Sequence, residues 1–154
     1  MRRAFAALCS VGLLLTMLAP GVAAGGPPEK VTITSTMWSV PNDANQGTFA
    51  VEGTDAICAH GQVFDVGYVF GAYRPGHLRE ILVTKAFVCT DDDVFLVRMQ
   101  VHEDLAAGTE RFTWVILKGF GAFRSLHGQG SGYTTSPDLA IGPWFNTYDG
   151  FVID

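Results

Sequence analysis

Asp91-Asp92-Asp93 places three carboxylates side by side. Hard cations want clustered carboxylates, so this run could supply half of a calcium site, but the glycine and the distant glutamate of a calcium loop are missing. A solvated hairpin tip is the preferred expectation. Four histidines, His60, His77, His102 and His127, have no H-x-H or H-x-x-x-H spacing, and three of them adjoin glycine in turn-like contexts. No metal site is expected from them. Ser125-Leu126-His127 lacks the G-x-S-x-G elbow of a nucleophilic serine, although a Ser-His-Asp set assembled from distant positions stays open. Gly119-x-Gly121 and Gly128-x-Gly130 stand between strand-like segments with no helix following, so no helix N-terminus is there to receive a phosphate. No catalytic residue and no cofactor is assigned from these motifs. Lys85 and Arg98 sit inside apolar strands. Inward they would orient a substrate; outward they are solvated charges, which is the expectation adopted.

The aromatic residues say more. Trp38, Trp114, Trp144, Phe95, Phe112, Phe145 and Tyr133 are more than the centre of one small core needs. In a barrel some of them must line a cavity or cover the outside. An ordinary core with an oligomer face competes here with a ligand pocket. Read from strand faces, the pocket set is Trp38, Phe95, Met99, Phe112, Trp114 and Tyr133. A register slip of one residue would invert each choice.

The elements that must position these side chains are short strands. Val31–Trp38 is rich in β-branched residues, and Pro41–Gly47 has loop chemistry. Thr48–Glu52 alternates. Gln62–Phe70 sets Val63, Asp65 and Gly67 against Phe64, Val66 and Tyr68, and an Arg74-Pro75-Gly76 turn follows. Arg79–Phe87 and Val94–Val101 come next, the latter with Phe95, Val97, Met99 and Val101 on one face and Arg98 and Gln100 on the other. Arg111–Leu117 aligns Phe112, Trp114 and Ile116. Gly128, Gly130 and Gly132 share one face, which suits a strand approached closely by another backbone. Tyr148–Ile153 closes the series. No stretch sustains a helical period, and only Asp104–Glu110 has room for a helical turn. Seven or eight such strands predict an all-β fold, and apolar residues on both faces favour a closed antiparallel barrel whose outside is covered, as by a homo-oligomer.

The N-terminus reads as an export signal: Met1-Arg2-Arg3, an apolar run Ala4–Leu18 with Cys9 inside it, a Pro20-Gly21 break and small residues Val22-Ala23-Ala24. The apolar run is shorter than the roughly 20 residues a membrane helix needs. Cleavage after Ala24 is expected, with a permanent anchor as the rival. The chain then divides into a signal peptide (1–24), a flexible lead-in (25–30) and one domain (31–154), secreted and free of the membrane. Losing Arg2 and Arg3 leaves eight basic residues against fifteen acidic ones, a formal net of −7. The basic residues are scattered, which argues against nucleic acid and anionic membrane surfaces as partners. Two cysteines remain, Cys58 and Cys89, and outside the cell an even count favours a disulfide. Two buried free thiols are the rival reading.

The run Trp114–Gly130 resembles the allene oxide cyclase and dirigent barrels, in which a strand leads into G-T-G-x-[FY]-x-x-L-x-G-x-G. Gly119, Gly121, Phe123, Leu126, Gly128 and Gly130 match, and Phe120 stands where the family has Thr. Phe49–Gly61 with Cys58, and Phe87-Val88-Cys89-Thr90-Asp91, are similar to small secreted bacterial proteins related to that barrel. The likeness spans Thr48 to Tyr133. It implies an eight-stranded antiparallel, calycin-like barrel with a central cavity, trimeric in many plant members. The family's acidic and polar cavity residues have no residue-by-residue counterpart here, so the resemblance implies a pocket and not an activity. The expected function is a secreted, non-catalytic barrel that binds a small apolar or aromatic ligand or serves as a stable extracellular module. The alternatives are a dirigent-like or cyclase-like isomerase working on a reactive hydrophobic intermediate, and an interaction module using an outer apolar face. Two or more polar groups converging inside the cavity, one with a displaced pKa, would favour the enzyme.

Overall fold

The computed structural model describes residues 26–71, 78–89 and 93–154. The expected export signal 1–24, the expected Arg74-Pro75-Gly76 turn, His77 and Asp91-Asp92 lie outside them. Eight strands follow one another: β1 (Glu29–Trp38), β2 (Gln46–Glu52), β3 (His60–Phe70), β4 (Leu78–Cys89), β5 (Val94–Asp104), β6 (Thr109–Phe120), β7 (His127–Thr135) and β8 (Trp144–Ile153). Each pairs antiparallel with the next, and β1 pairs with β8 from Glu29↔Val152 to Met37↔Trp144, so the sheet closes into a barrel. Closure leaves no unpaired edge strand.

Alternation decides which side chains enter the barrel. Val31, Ile33, Val63, Phe87, Phe95, Val97, Met99, Val101, Phe112, Trp114, Tyr148 and Val152 are buried there. One half is packed solid. Phe87 and Phe95 stack with centroids 4.9 Å apart, Phe49 meets Phe87 edge-on at 5.1 Å, and Phe123 closes on Phe95 at 5.7 Å. Tyr148 sits in the middle, its ring 4.9 Å from Phe112 and 5.8 Å from Phe87. Ile57 and Leu126 seal this closed end. The Cys58–Cys89 disulfide, with Cα atoms 6.0 Å apart, pins the β2–β3 connection onto the end of β4 there.

The glycines of β7 do what their alternation predicts. All face inward, and a Cβ on Gly132 would lie 2.4 Å from the Phe112 ring, one on Gly130 2.7 Å from the Trp114 indole nitrogen. Gly130 pairs with Gly150 of β8, and Trp114 occupies the room the two leave. The bend after β6 is equally constrained. A Cβ on Gly121, whose φ is +63°, would lie 1.7 Å from the Asp93 carboxylate. Asp93 accepts from the Ala122 amide at 2.9 Å and so braces the bend.

Several expectations are corrected. The lead-in is shorter than 25–30, because β1 already begins at Glu29. The only helical turn among the described residues is a single 3-10 turn, Gly121–Phe123, and not Asp104–Glu110, where β5 runs on to Asp104 and β6 starts at Thr109. In β3 the register shifts between Asp65 and Gly67, so the extra residue Val66 breaks the alternation. Beyond that bulge Tyr68 and Phe70, and not Gly67, continue the inward face. Lys85 points inward and is buried, contrary to the expectation of a solvated charge; Arg98 is exposed as expected.

Candidate functional site

The half of the barrel opposite the aromatic plug is open. It forms a cup of about 470 Å³ whose walls include Met37, Ile81, Val83, Met99, Val101 and Trp144. Between these apolar side chains stand polar ones from five strands, β3, β4, β5, β6 and β8. Charges so placed are expensive to desolvate unless paired, and the pairing is visible. Lys85 Nζ is 2.5 Å from Asp65 Oδ1 and 2.8 Å from Met37 Sδ. Asp65 Oδ2 accepts from the Tyr68 hydroxyl and, at 3.0 Å, from the Asn45 amide, which also reaches the Tyr68 oxygen at 2.7 Å. On the next wall Arg79 binds the buried Glu103 through Nε at 2.6 Å and Nη2 at 2.5 Å. Its guanidinium lies 5.6 Å from the centre of the Phe70 ring at the rim, which in turn stacks on Tyr68. No buried side-chain polar atom among the described residues lacks a partner.

Glu110 differs from the other carboxyls of the cup. Among the described residues it has no cationic partner within ion-pair distance; its neighbour is the Thr134 hydroxyl at 2.9 Å. That hydroxyl is also 2.9 Å from Asn146 Oδ1, Asn146 Nδ2 donates to Ser35 Oγ at 3.0 Å, and Ser35 bonds the Tyr148 hydroxyl, which touches Met99 Sδ at 3.5 Å. Thr134 has one hydrogen for two acceptors. If it goes to Asn146, Glu110 must donate to Thr134, and every link is satisfied by the neutral acid. Desolvation raises the Glu110 pKa above the usual carboxylate range, and the charge of Glu103 adds to this; the Thr134 hydrogen bond, Lys85 and Arg79 oppose it. Burial likewise pushes the Tyr148 hydroxyl up, and partial burial plus the Asp65 carboxylate push Tyr68 up.

A raised carboxyl pKa has a definite sign in stability. The folded chain holds the Glu110 proton at pH values where the unfolded chain has released it, so this residue makes stability fall as pH climbs from the ordinary carboxylate range through the folded value. Glu110→Gln keeps a donor for Thr134 and cannot ionise. Its urea midpoint at neutral pH is expected above that of the wild type, with the difference vanishing at acid pH. Parallel pH profiles for the two proteins would show that Glu110 titrates normally.

The mouth is bordered by the β7–β8 connection, where Leu139 and Ala140 line the cup. This loop is fastened by Trp144 Nε1 donating to the Leu139 carbonyl at 2.9 Å, and by Asp138, whose carboxylate accepts from Ala140 N at 2.8 Å.

Of the six residues read from the sequence as pocket-lining, Met99 alone lines the cup. Phe95 and Phe112 are buried in the packed half; Trp114 is buried too but also borders a depression on the outer wall. Trp38 and Tyr133, each 47 % exposed, face outward, because their strands send Met37 and Gly132 inward. A second depression of about 970 Å³ lies on the outer wall, bordered by Leu82, Arg98, Gln100, Gln129, Asp149 and Phe151. It is larger, but none of those side chains is buried, so no desolvated charge marks it as the cup is marked. Among the described residues no three His, Cys, Asp or Glu side chains come together as metal ligands. No protein-family model, curated protein or solved structure matches this chain.

Proposed function

We propose that the chain is a secreted binding barrel whose open half takes one small molecule with an aromatic or apolar body and polar substituents. The observation that carries this reading is the division of the interior. One half is filled by stacked aromatics, and the other holds one buried and one part-buried ion pair around an accessible space. A barrel needing only stability would extend the apolar packing, since an ion pair buried in a core contributes little over apolar residues of similar volume. Pockets of a few hundred Å³ with few convergent polar groups are the usual form of a small-molecule site. The Gly119–Gly130 segment supports kinship with the dirigent and cyclase barrels, and the disulfide supports an oxidising destination.

A second reading, proton transfer to a bound substrate as in a cyclase-like isomerase, is favoured by one specific observation. Glu110 is a part-buried carboxyl beside the cup whose pKa desolvation raises, the direction a general acid requires.

The test is native mass spectrometry of protein purified from secretion medium, joined to an NMR screen of aromatic fragments. A bound small molecule, or fragment-induced shifts of the Trp144 indole and the Asn146 side-chain amide, is the expected result, and the same spectra read whether the barrel is a trimer. Protein that emerges unliganded and shows no shift at either group with any fragment overturns the binding reading.

A further inference from the structure

Among the described residues, the charges around the cup do not balance. Two cations, Lys85 and Arg79, face three carboxyls, Asp65, Glu103 and Glu110, and both cations are already spent on the first two. The third carboxyl is accommodated by its hydrogen bond to Thr134. An anionic ligand would add a second excess negative charge or depend on Glu110 staying protonated. A cationic ligand supplies the missing counter-charge.

We propose that the ligand of this cup is an organic ammonium ion, a small amine on an aromatic or alkyl body, that pairs with Glu110. The proposal rests on the cup being a ligand site. Binding is an exchange in which the Glu110 carboxylic acid loses its proton to solvent and the carboxylate accepts N–H bonds from the ammonium group. No covalent bond other than that O–H changes. The groups facing Glu110 permit this. Glu103 on β5 repels the new carboxylate and attracts the cation. Lys85 and Arg79 on β4 do the reverse, but each is held against its own carboxylate. Asp65 and Tyr68 belong to β3, Thr134 to β7, and Tyr148 on β8 is fully buried. With Glu110 ionised, the Thr134 hydrogen turns to the carboxylate, and Asn146 and Ser35 reverse their donor roles behind it, so the chain of hydrogen bonds accommodates both states. The rim suits an organic cation as well. Phe70 already carries the Arg79 guanidinium near its face, and Tyr68 and Trp144 present further aromatic surface at the mouth. The chain's formal net charge of −5 draws cations toward it.

Three probes of one shape separate the alternatives: 2-phenylethylamine, 2-phenylethanol and 3-phenylpropionate. Calorimetric titration of the mature protein at about pH 5, in two buffers of different ionisation enthalpy, reads both affinity and proton release. The amine is expected to bind about tenfold or more tightly than the alcohol, the ratio that one charge-assisted hydrogen bond supplies, and to release up to one proton. Glu110→Gln should bring the amine down to the alcohol's affinity and abolish proton release. If the alcohol or the carboxylate binds as well as the amine, with no proton released, the cation assignment is wrong and the cup remains a ligand site. If none of the three binds and the Trp144 and Asn146 resonances stay fixed, both the assignment and the binding reading fall.

Discussion

Lys85→Ala is expected to destabilise the barrel by about 3–5 kcal/mol, because it strands the Asp65 carboxylate in the wall with its counter-charge gone. Asp65 is 6 % and Lys85 5 % exposed, and the ammonium is the only cation within ion-pair distance of that carboxylate among the described residues. Tyr68 and Asn45 would still donate to Asp65, which sets the loss toward the lower end of the range. The companion variant Lys85→Met/Asp65→Leu removes both charges and fills similar volume. It is expected to recover to within ~1 kcal/mol of the wild type, as buried pairs exchanged for apolar residues commonly do. Urea denaturation of the two variants and the wild type reads all three values. A Lys85→Ala protein as stable as the wild type, or a double variant no better than the single one, would show that desolvated charge does not govern this wall.

That pair was written in the sequence more plainly than the expectation for Lys85 allowed. Ile81, Val83, Lys85 and Phe87 share one parity, so the alternation itself directs Lys85 inward. The general reluctance of lysine to be buried was given more weight than the local period. Asp65 makes the same departure in a neighbouring strand, two residues after Val63. Two charges of opposite sign on apolar faces of paired strands are the signature of a buried ion pair, and Asp65↔Lys85 are register partners. The same parity, carried to the strand ends, reaches the rest of the cup. Glu103 follows Met99 and Val101, Arg79 precedes Ile81, Glu110 precedes Phe112, Ser35 follows Ile33, and Asn146 precedes Tyr148.

The closed-barrel architecture was legible for a related reason, since alternation and turn chemistry are local. So were the inward glycines of β7. Trp38 and Tyr133 were misplaced because aromatic character was weighed above parity: Trp38 is in phase with Thr32, Thr34 and Thr36, and Tyr133 with Gln129 and Ser131. The bulge at Val66 had no local signal, because one inserted residue is fixed by pairing with β4 and not by its own type. It is what brings Tyr68 onto the Asp65 carboxylate. Nor could strand faces show that one half of the interior is filled and the other open. That depends on how Phe49, Phe87, Phe95 and Phe123, contributed by β2, β4, β5 and the 3-10 turn, meet in space.

Cys58→Ala/Cys89→Ala is expected to cost roughly 3.5–4 kcal/mol in the chain-entropy model, which ascribes the effect to the freedom regained by the unfolded chain when a loop of about 32 residues is no longer closed. The native contacts around the bond should outlast it. Val51 N still finds the Ala59 carbonyl at 2.8 Å, and Ile57 still seals the closed end. Two features separate this mechanism from loss of packing. Either single Cys→Ala variant, lacking the same cross-link, should be nearly as unstable as the double variant. The urea m-value should rise, because the unlinked chain exposes more surface on unfolding. Equal stability of the oxidised and reduced wild type would instead show that the β2–β3 connection is held by packing alone. Because the disulfide seals the closed end while Asp65 and Lys85 stand at the cup, the two losses should add to within about 0.5 kcal/mol. Their sum of roughly 6.5–9 kcal/mol is comparable to the whole stability of an ordinary domain. Reduced Lys85→Ala is therefore expected to be at the edge of unfolding without denaturant, while reduced Lys85→Met/Asp65→Leu stays folded, a contrast that near-ultraviolet circular dichroism reads directly.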